Sequence, residues 1–85
     1  MIEVNVVEVE VTPLGELADV VVSKNVVPGP GMRLMDDDSE TWEVTGALHN
    51  AKRVINEEHT KLWTLQCKAV NASKSMEPGL YKLIH

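Results

Sequence analysis

The chain has no phenylalanine, only one cysteine, and 4% aromatic residues in 85. With Trp42, Trp63 and Tyr81 as its only large rings, the core must be built from Val and Leu anchored by two indoles. One cysteine, Cys67, excludes an internal disulfide and any cysteine-rich metal centre. It makes a reducing, cytoplasmic setting the expected one. No stretch approaches the roughly 18 consecutive apolar residues of a membrane-spanning helix. The first residues carry Glu3, Glu8 and Glu10 rather than a basic leader, which argues against a secretory signal. No GxxxxGK[ST], GxGxxG or HExxH pattern occurs, so no nucleotide or zinc-protease chemistry is indicated and the chain reads as non-enzymatic. No cofactor is expected.

What the chain has in quantity is Val, in alternation with polar residues. Val has a stiff χ1 and suits a pleated surface, so these stretches read as strands. In residues 2–11 the alternation slips. Ile2, Val4 and Val6 share one face; Val7, Val9 and Val11 take the other, with Glu8 and Glu10 opposite. Adjacent Val6-Val7 predicts a bulge or bend. Thr12-Pro13-Leu14-Gly15 reads as a turn. Leu17–Val27 reads as a second strand, with Ala18, Val20 and Val22 on one face. Pro28-Gly29-Pro30-Gly31 breaks it, and Met32 and Leu34 open a short third strand. The fourth strand alternates Trp42, Val44, Gly46 and Leu48 against Glu43, Thr45 and Ala47. That phase places Gly46 inside, where a backbone would approach closely, for example to an indole. Residues 61–70 and Leu80–Ile84 complete the set. Pro30-Gly31 and Pro78-Gly79 each stand before an apolar run, as a turn delivering a strand. Six short strands in a chain this size predict one all-β domain over residues 1–85. It would be a small six-stranded antiparallel barrel, closed or partly open, or a sandwich.

The net charge of −5 is unevenly spread. Residues 1–43 hold ten acids and two bases; residues 44–85 hold three acids and six bases. In one small fold the two halves must interleave, so cross-strand pairing is expected to balance much of this. The sharper alternative is a molecule with an acidic and a basic side that orients a partner. An acidic overall pI of about 5.0 disfavours a dedicated nucleic-acid binder.

Asp36-Asp37-Asp38-Ser39-Glu40 fails the calcium-loop template, because Thr41 and Ala47 stand where Gly and Glu are needed. It reads as a solvated turn that discourages edge pairing. His49, His59 and Cys67 lack the paired spacing of a zinc site, so no metal is expected. Cys67 is in phase with Trp63 and Leu65 and reads as a small core residue rather than a nucleophile. Trp42 and Trp63 read as core, the alternative being a stacking platform on the outer face.

The undecided stretch is 49–60, a long connection of the kind that often carries function. With Lys52, Arg53, His59 and Lys61 it is the expected contact surface for a protein or other anionic partner. The expected function is a non-catalytic binding module. Two alternatives stand beside it: a homodimer formed through Val21, Leu62 and Val70, or a ligand or enzyme site in the barrel mouth.

The order of hydrophobic and Gly-led segments also resembles the second, β-barrel domain of translational GTPases. The resemblance runs through Val4–Val11, Gly15, Asp19–Val27, Gly31-Met32-Arg33-Leu34, Thr41-Trp42-Glu43-Val44 and Gly79-Leu80-Tyr81-Lys82-Leu83. It spans nearly the whole chain as a spacing of Val and Gly, and it carries no functional residue. The GTPase domain that precedes this barrel in the family has no counterpart here. The resemblance implies a barrel that presents loops to a partner, without nucleotide chemistry.

Overall fold

A computed structural model of the chain describes residues 6–23, 25–49 and 60–85. It has six strands: β1 (Val6–Leu14), β2 (Leu17–Ser23), β3 (Arg33–Met35), β4 (Thr41–His49), β5 (Thr60–Asn71) and β6 (Gly79–Ile84). All pair antiparallel, in the order β1-β2-β5-β4-β3-β6, and β6 pairs with β1 to close the barrel. The all-β, six-stranded antiparallel reading is therefore correct, in its closed form.

The inner face follows the Val alternation. Val9 and Val11 of β1, Ala18, Val20 and Val22 of β2, Leu34, Val44, Leu65 and Leu83 are buried together with Trp42 and Tyr81. Each fully buried Val or Leu contributes about 1.5–3 kcal/mol, so this cluster is the main source of stability in a domain with no disulfide. Leu34, Val44, Val20 and Leu65 have no accessible surface, so side chains fill the barrel interior. Trp42 belongs to the core, and Trp63 packs against it while remaining partly exposed. Neither indole forms an outer stacking platform.

Both Pro-Gly signals deliver strands. Gly31 takes φ 94°, and its N–H donates to the Val44 carbonyl at 3.0 Å. Gly79 takes φ 149° and opens β6 opposite Val11. The two-residue link Gly15-Glu16 joins β1 to β2, with Gly15 at φ 68°.

Two phase assignments need correction. The bend expected at Val6-Val7 is not there. The β1–β6 register runs unbroken from Val6↔Ile84 to Val11↔Gly79, so Val6 faces out, 51% exposed, and Val7 faces the core. Ile2 and Val4 lie outside the described residues. The β4–β5 ladder is irregular instead, at Thr41/Trp42 and again at Val44/Gly46. Val44 faces Cys67 and Gly46 faces Gln66, so Thr45 is an extra residue in the ladder. The bulge moves every later residue to the other face. Ala47 packs on the core, Leu48 is 71% exposed, and Gly46 lies on the outside. A Cβ at Gly46 would sit 2.8 Å from Gln66 Oε1, with no indole nearby.

The antiparallel path gives the barrel two ends. The Gly15-Glu16 turn, the 36–40 turn and the 72–78 loop gather at the lower end. The start of β1, residues 25–32 and the termini of β4 and β5 next to their connection form the upper end.

Candidate functional site

Of the four residues expected to contact a partner, Lys61 is described; Lys52, Arg53 and His59 lie outside the described residues. Lys61 sits opposite Val22, whose side chain is buried in the core, so it rises on the inner side of β5 at the upper rim. Two residues further along the same face is Trp63, opposite His49. The His49 ring lies 5.0 Å from the indole, tilted by 39°. Trp63 Nε1 is buried and has no hydrogen-bond partner among the described residues. A buried N–H left unmet is unfavourable, by about 1–3 kcal/mol. Lys61, Trp63 and the exposed His49 thus assemble three N–H-bearing groups at one end of the barrel. The contact of His49 with Trp63 is not legible in the sequence, because the bulge in β4 sets which residue of β4 meets Trp63.

Among the described residues, Lys68, Lys74 and Lys82 of the basic C-terminal half stand beside acids of the N-terminal half. Lys82 stands opposite Glu8 across β1 and β6. Lys68 stands opposite Glu43, with Nζ 3.8 Å from a carboxylate oxygen, and Arg33 faces Glu43 from the other side. Lys74 meets Asp38 at 3.1 Å and Asp36 at 3.7 Å. Its hydrogen bond to Asp38 is the main reason its ammonium holds its proton beyond the usual range. No ion pair of Lys61 occurs among the described residues.

The Asp-rich turn has a local structural role. Asp36 Oδ1 accepts the backbone N–H groups of Asp38 and Glu40, both at 2.9 Å. Glu40 accepts the Ser73 amide at 2.8 Å and the Ser73 hydroxyl at 2.6 Å, tying this turn to the 72–78 loop. Among the described residues no three His, Cys, Asp or Glu side chains gather as metal ligands.

Between that loop and the Gly15-Glu16 turn lies an open cleft of about 570 Å³, lined in part by Trp42, Cys67, Ala69, Lys74 and Met76. Burial pushes the Cys67 thiol up to about 11, so at neutral pH it is protonated and a poor nucleophile. Lys74 is engaged by two aspartates. Cys67 and Lys74 therefore do not act as a nucleophile and base in this cleft. A second groove, about 440 Å³ and mainly aliphatic, runs beside Val7, Val26, Met32 and Leu83 at the upper end.

The three residues expected to form a dimer patch do not form one. Val21 and Leu62 are cross-strand neighbours, but Leu62 is only 5% exposed. Val70 lies eight residues further along β5, about 26 Å away at strand rise.

No protein family, curated protein or solved structure matches this chain.

Proposed function

We propose that this protein is a non-catalytic interaction module that receives an acidic partner at the upper end of its barrel. Lys61, Lys52, Arg53 and His59 form the contact surface in this reading. The observation that carries it is the contrast among the lysines. Lys68, Lys74 and Lys82 face acids of the same chain, whereas Lys61 has none among the described residues. An interior filled by side chains supports binding on the outside rather than within. A rim lysine with no acid beside it among the described residues is suited to a carboxylate. The resemblance to the translational-GTPase barrel supports the same reading at the level of architecture, as a barrel that offers its end loops. The protein works, on this reading, in the cytoplasm, where its single thiol stays reduced.

The test is capture of partners on immobilised protein, comparing the triple variant Lys52→Ala, Arg53→Ala, Lys61→Ala with the triple Lys68→Ala, Lys74→Ala, Lys82→Ala. Loss of captured species with the first set and retention with the second is the expected result. Equal capture by wild type and the first set rules the surface out.

A further inference from the structure

The barrel wall has a gap at its lower end. β2 begins at Leu17, opposite Gln66, where the chain turns back to β1 through Gly15-Glu16. β5 runs on to Asn71. From Cys67 to Asn71 it has β4 on one side and no described strand on the other. That bare length is about 13 Å at strand rise, room for roughly four residues of an added strand. Cys67 and Ala69 of this length line the cleft of about 570 Å³ between the Gly15-Glu16 turn and the 72–78 loop.

Backbone groups along an antiparallel strand point alternately to either side. Val44 bonds to Gly31 and Met32 on the side away from β5, so its partner Cys67 points its own groups away from β4. The register is regular from Cys67 to Ala69, so Ala69, opposite Trp42, points the same way, into the cleft. Among the described residues no backbone bond from the turn or the loop reaches Ala69. Its N–H and C=O are the kind of pair that an added strand takes up.

Charge sets what the cleft would hold. The three loops at this end carry Glu16, Asp36, Asp37, Asp38, Glu40 and Glu77 against Lys74. Lys74 lines the cleft but is matched by Asp36 and Asp38. Glu16, on the opposite wall, is exposed and has no ion pair among the described residues. This end is therefore strongly negative and keeps a carboxylate at the cleft, which attracts a cationic chain and repels an acidic one. Trp42, Cys67 and Met76 give the same cleft an apolar wall for side-chain stems.

We infer that this cleft binds a short, extended, lysine-rich segment of a basic partner protein. The segment adds to β5 as a strand in line with β2 and sets a cation against Glu16. The site lies at the opposite end of the barrel from the Lys61 rim and is independent of it.

The probe is an end-blocked peptide, Lys-Val-Lys-Val-Lys, titrated into the full chain by isothermal calorimetry. Glu-Val-Glu-Val-Glu reverses its charge. A form N-methylated throughout keeps the charge and has no amide to donate to a strand. In the protein, Glu16→Lys reverses the cleft carboxylate, and Glu10→Lys makes the same change of net charge on the exposed face of β1. Circular dichroism checks that both variants fold. The lysine peptide is expected to bind Glu10→Lys within about threefold of wild type, and Glu16→Lys at least about tenfold more weakly. The acidic and methylated peptides should each lose at least about tenfold on wild type. No binding of the lysine peptide to wild type up to roughly 1 mM overturns the inference. So does undiminished affinity for the methylated peptide, which would leave charge alone as the attraction, or an equal loss in Glu16→Lys and Glu10→Lys. A wild-type dimer by light scattering that Glu16→Lys converts to a monomer would assign the cleft to a second copy and overturn it as well.

Discussion

The Tyr81 ring meets the Trp42 indole edge-on, with centroids 5.7 Å apart and planes at 64°. The same tyrosine reaches back four residues. Its hydroxyl donates to the Glu77 carbonyl at 2.8 Å and accepts the Glu77 amide at 3.0 Å. One side chain thus joins the core to the loop that delivers β6. Tyr81→Phe keeps the ring and leaves two backbone groups to find water, so it should lower unfolding free energy by about 1–2 kcal/mol. Trp42→Ala removes the largest core side chain and should cost about 3–5 kcal/mol. Urea denaturation measures both. A Tyr81→Phe protein as stable as wild type would show that the hydroxyl does not hold the loop.

The strands were legible because the core side of β1 and β2 reads directly from Val9, Val11, Ala18, Val20 and Val22. The two Pro-Gly turns were legible because Gly31 and Gly79 do hold φ values that other residues resist. What failed was phase. The adjacent valines 6 and 7 look like a slip, but Val6 simply faces solvent at the strand's start. The real slip, at Thr45, carries no sequence mark, because Thr, Gly and Ala suit either face. Charge pairing was legible in outline, as interleaved halves. The specific partners, such as Lys74 with Asp36 and Asp38, needed the meeting of two loops at the lower end.

Glycine replacements separate these cases. Gly31→Ala and Gly79→Ala force a Cβ into positive φ and should each cost about 1–3 kcal/mol. Gly46 does not share that conformation. Its one close neighbour is the mobile end of the exposed Gln66 side chain. Gly46→Ala should therefore change stability by no more than about 0.5 kcal/mol, since loss of unfolded-state freedom offsets the displacement of Gln66. Thermal melts of the three variants give the ranking. A Gly46→Ala protein as damaged as Gly31→Ala would mean that Gln66 cannot move aside.

The acidic turn offers a contrast between adjacent carboxylates. Asp36 holds two backbone amides and faces Lys74, so Asp36→Ala should cost about 1–2 kcal/mol. Asp36→Asn keeps the accepting oxygen and should retain more than half of that. Asp37 is exposed, and Asp37→Ala should stay within about 0.5 kcal/mol of wild type. Ser39, at φ 63°, is strained for a residue with a Cβ, so Ser39→Gly should be neutral or stabilising by up to about 1 kcal/mol. Equal losses at Asp36 and Asp37 would point to bulk charge rather than turn geometry.

The thiol of Cys67 supplies a pH-dependent signature of the fold. Burial raises it from 9.0 to about 11, because the thiolate is poorly solvated on the inner face of β5. Between those values the unfolded chain has lost the proton and the folded chain keeps it. The folded state binds more protons there, so stability falls as pH rises through that window and is undiminished by this group below it. Tyr81 is also pushed up, chiefly by burial, and acts in the same direction at somewhat higher pH. Cys67→Ala should therefore flatten the alkaline loss that begins near pH 9 and leave the part due to Tyr81. A chemical reading is available too. Modification by a disulfide reagent requires the thiolate, so at pH 8 the folded protein should react at least tenfold more slowly than the same protein in urea. Its rate should climb with pH towards about 11. Equal rates at pH 8 in buffer and in urea would place the thiol in solvent and refute its burial on the inner face of β5.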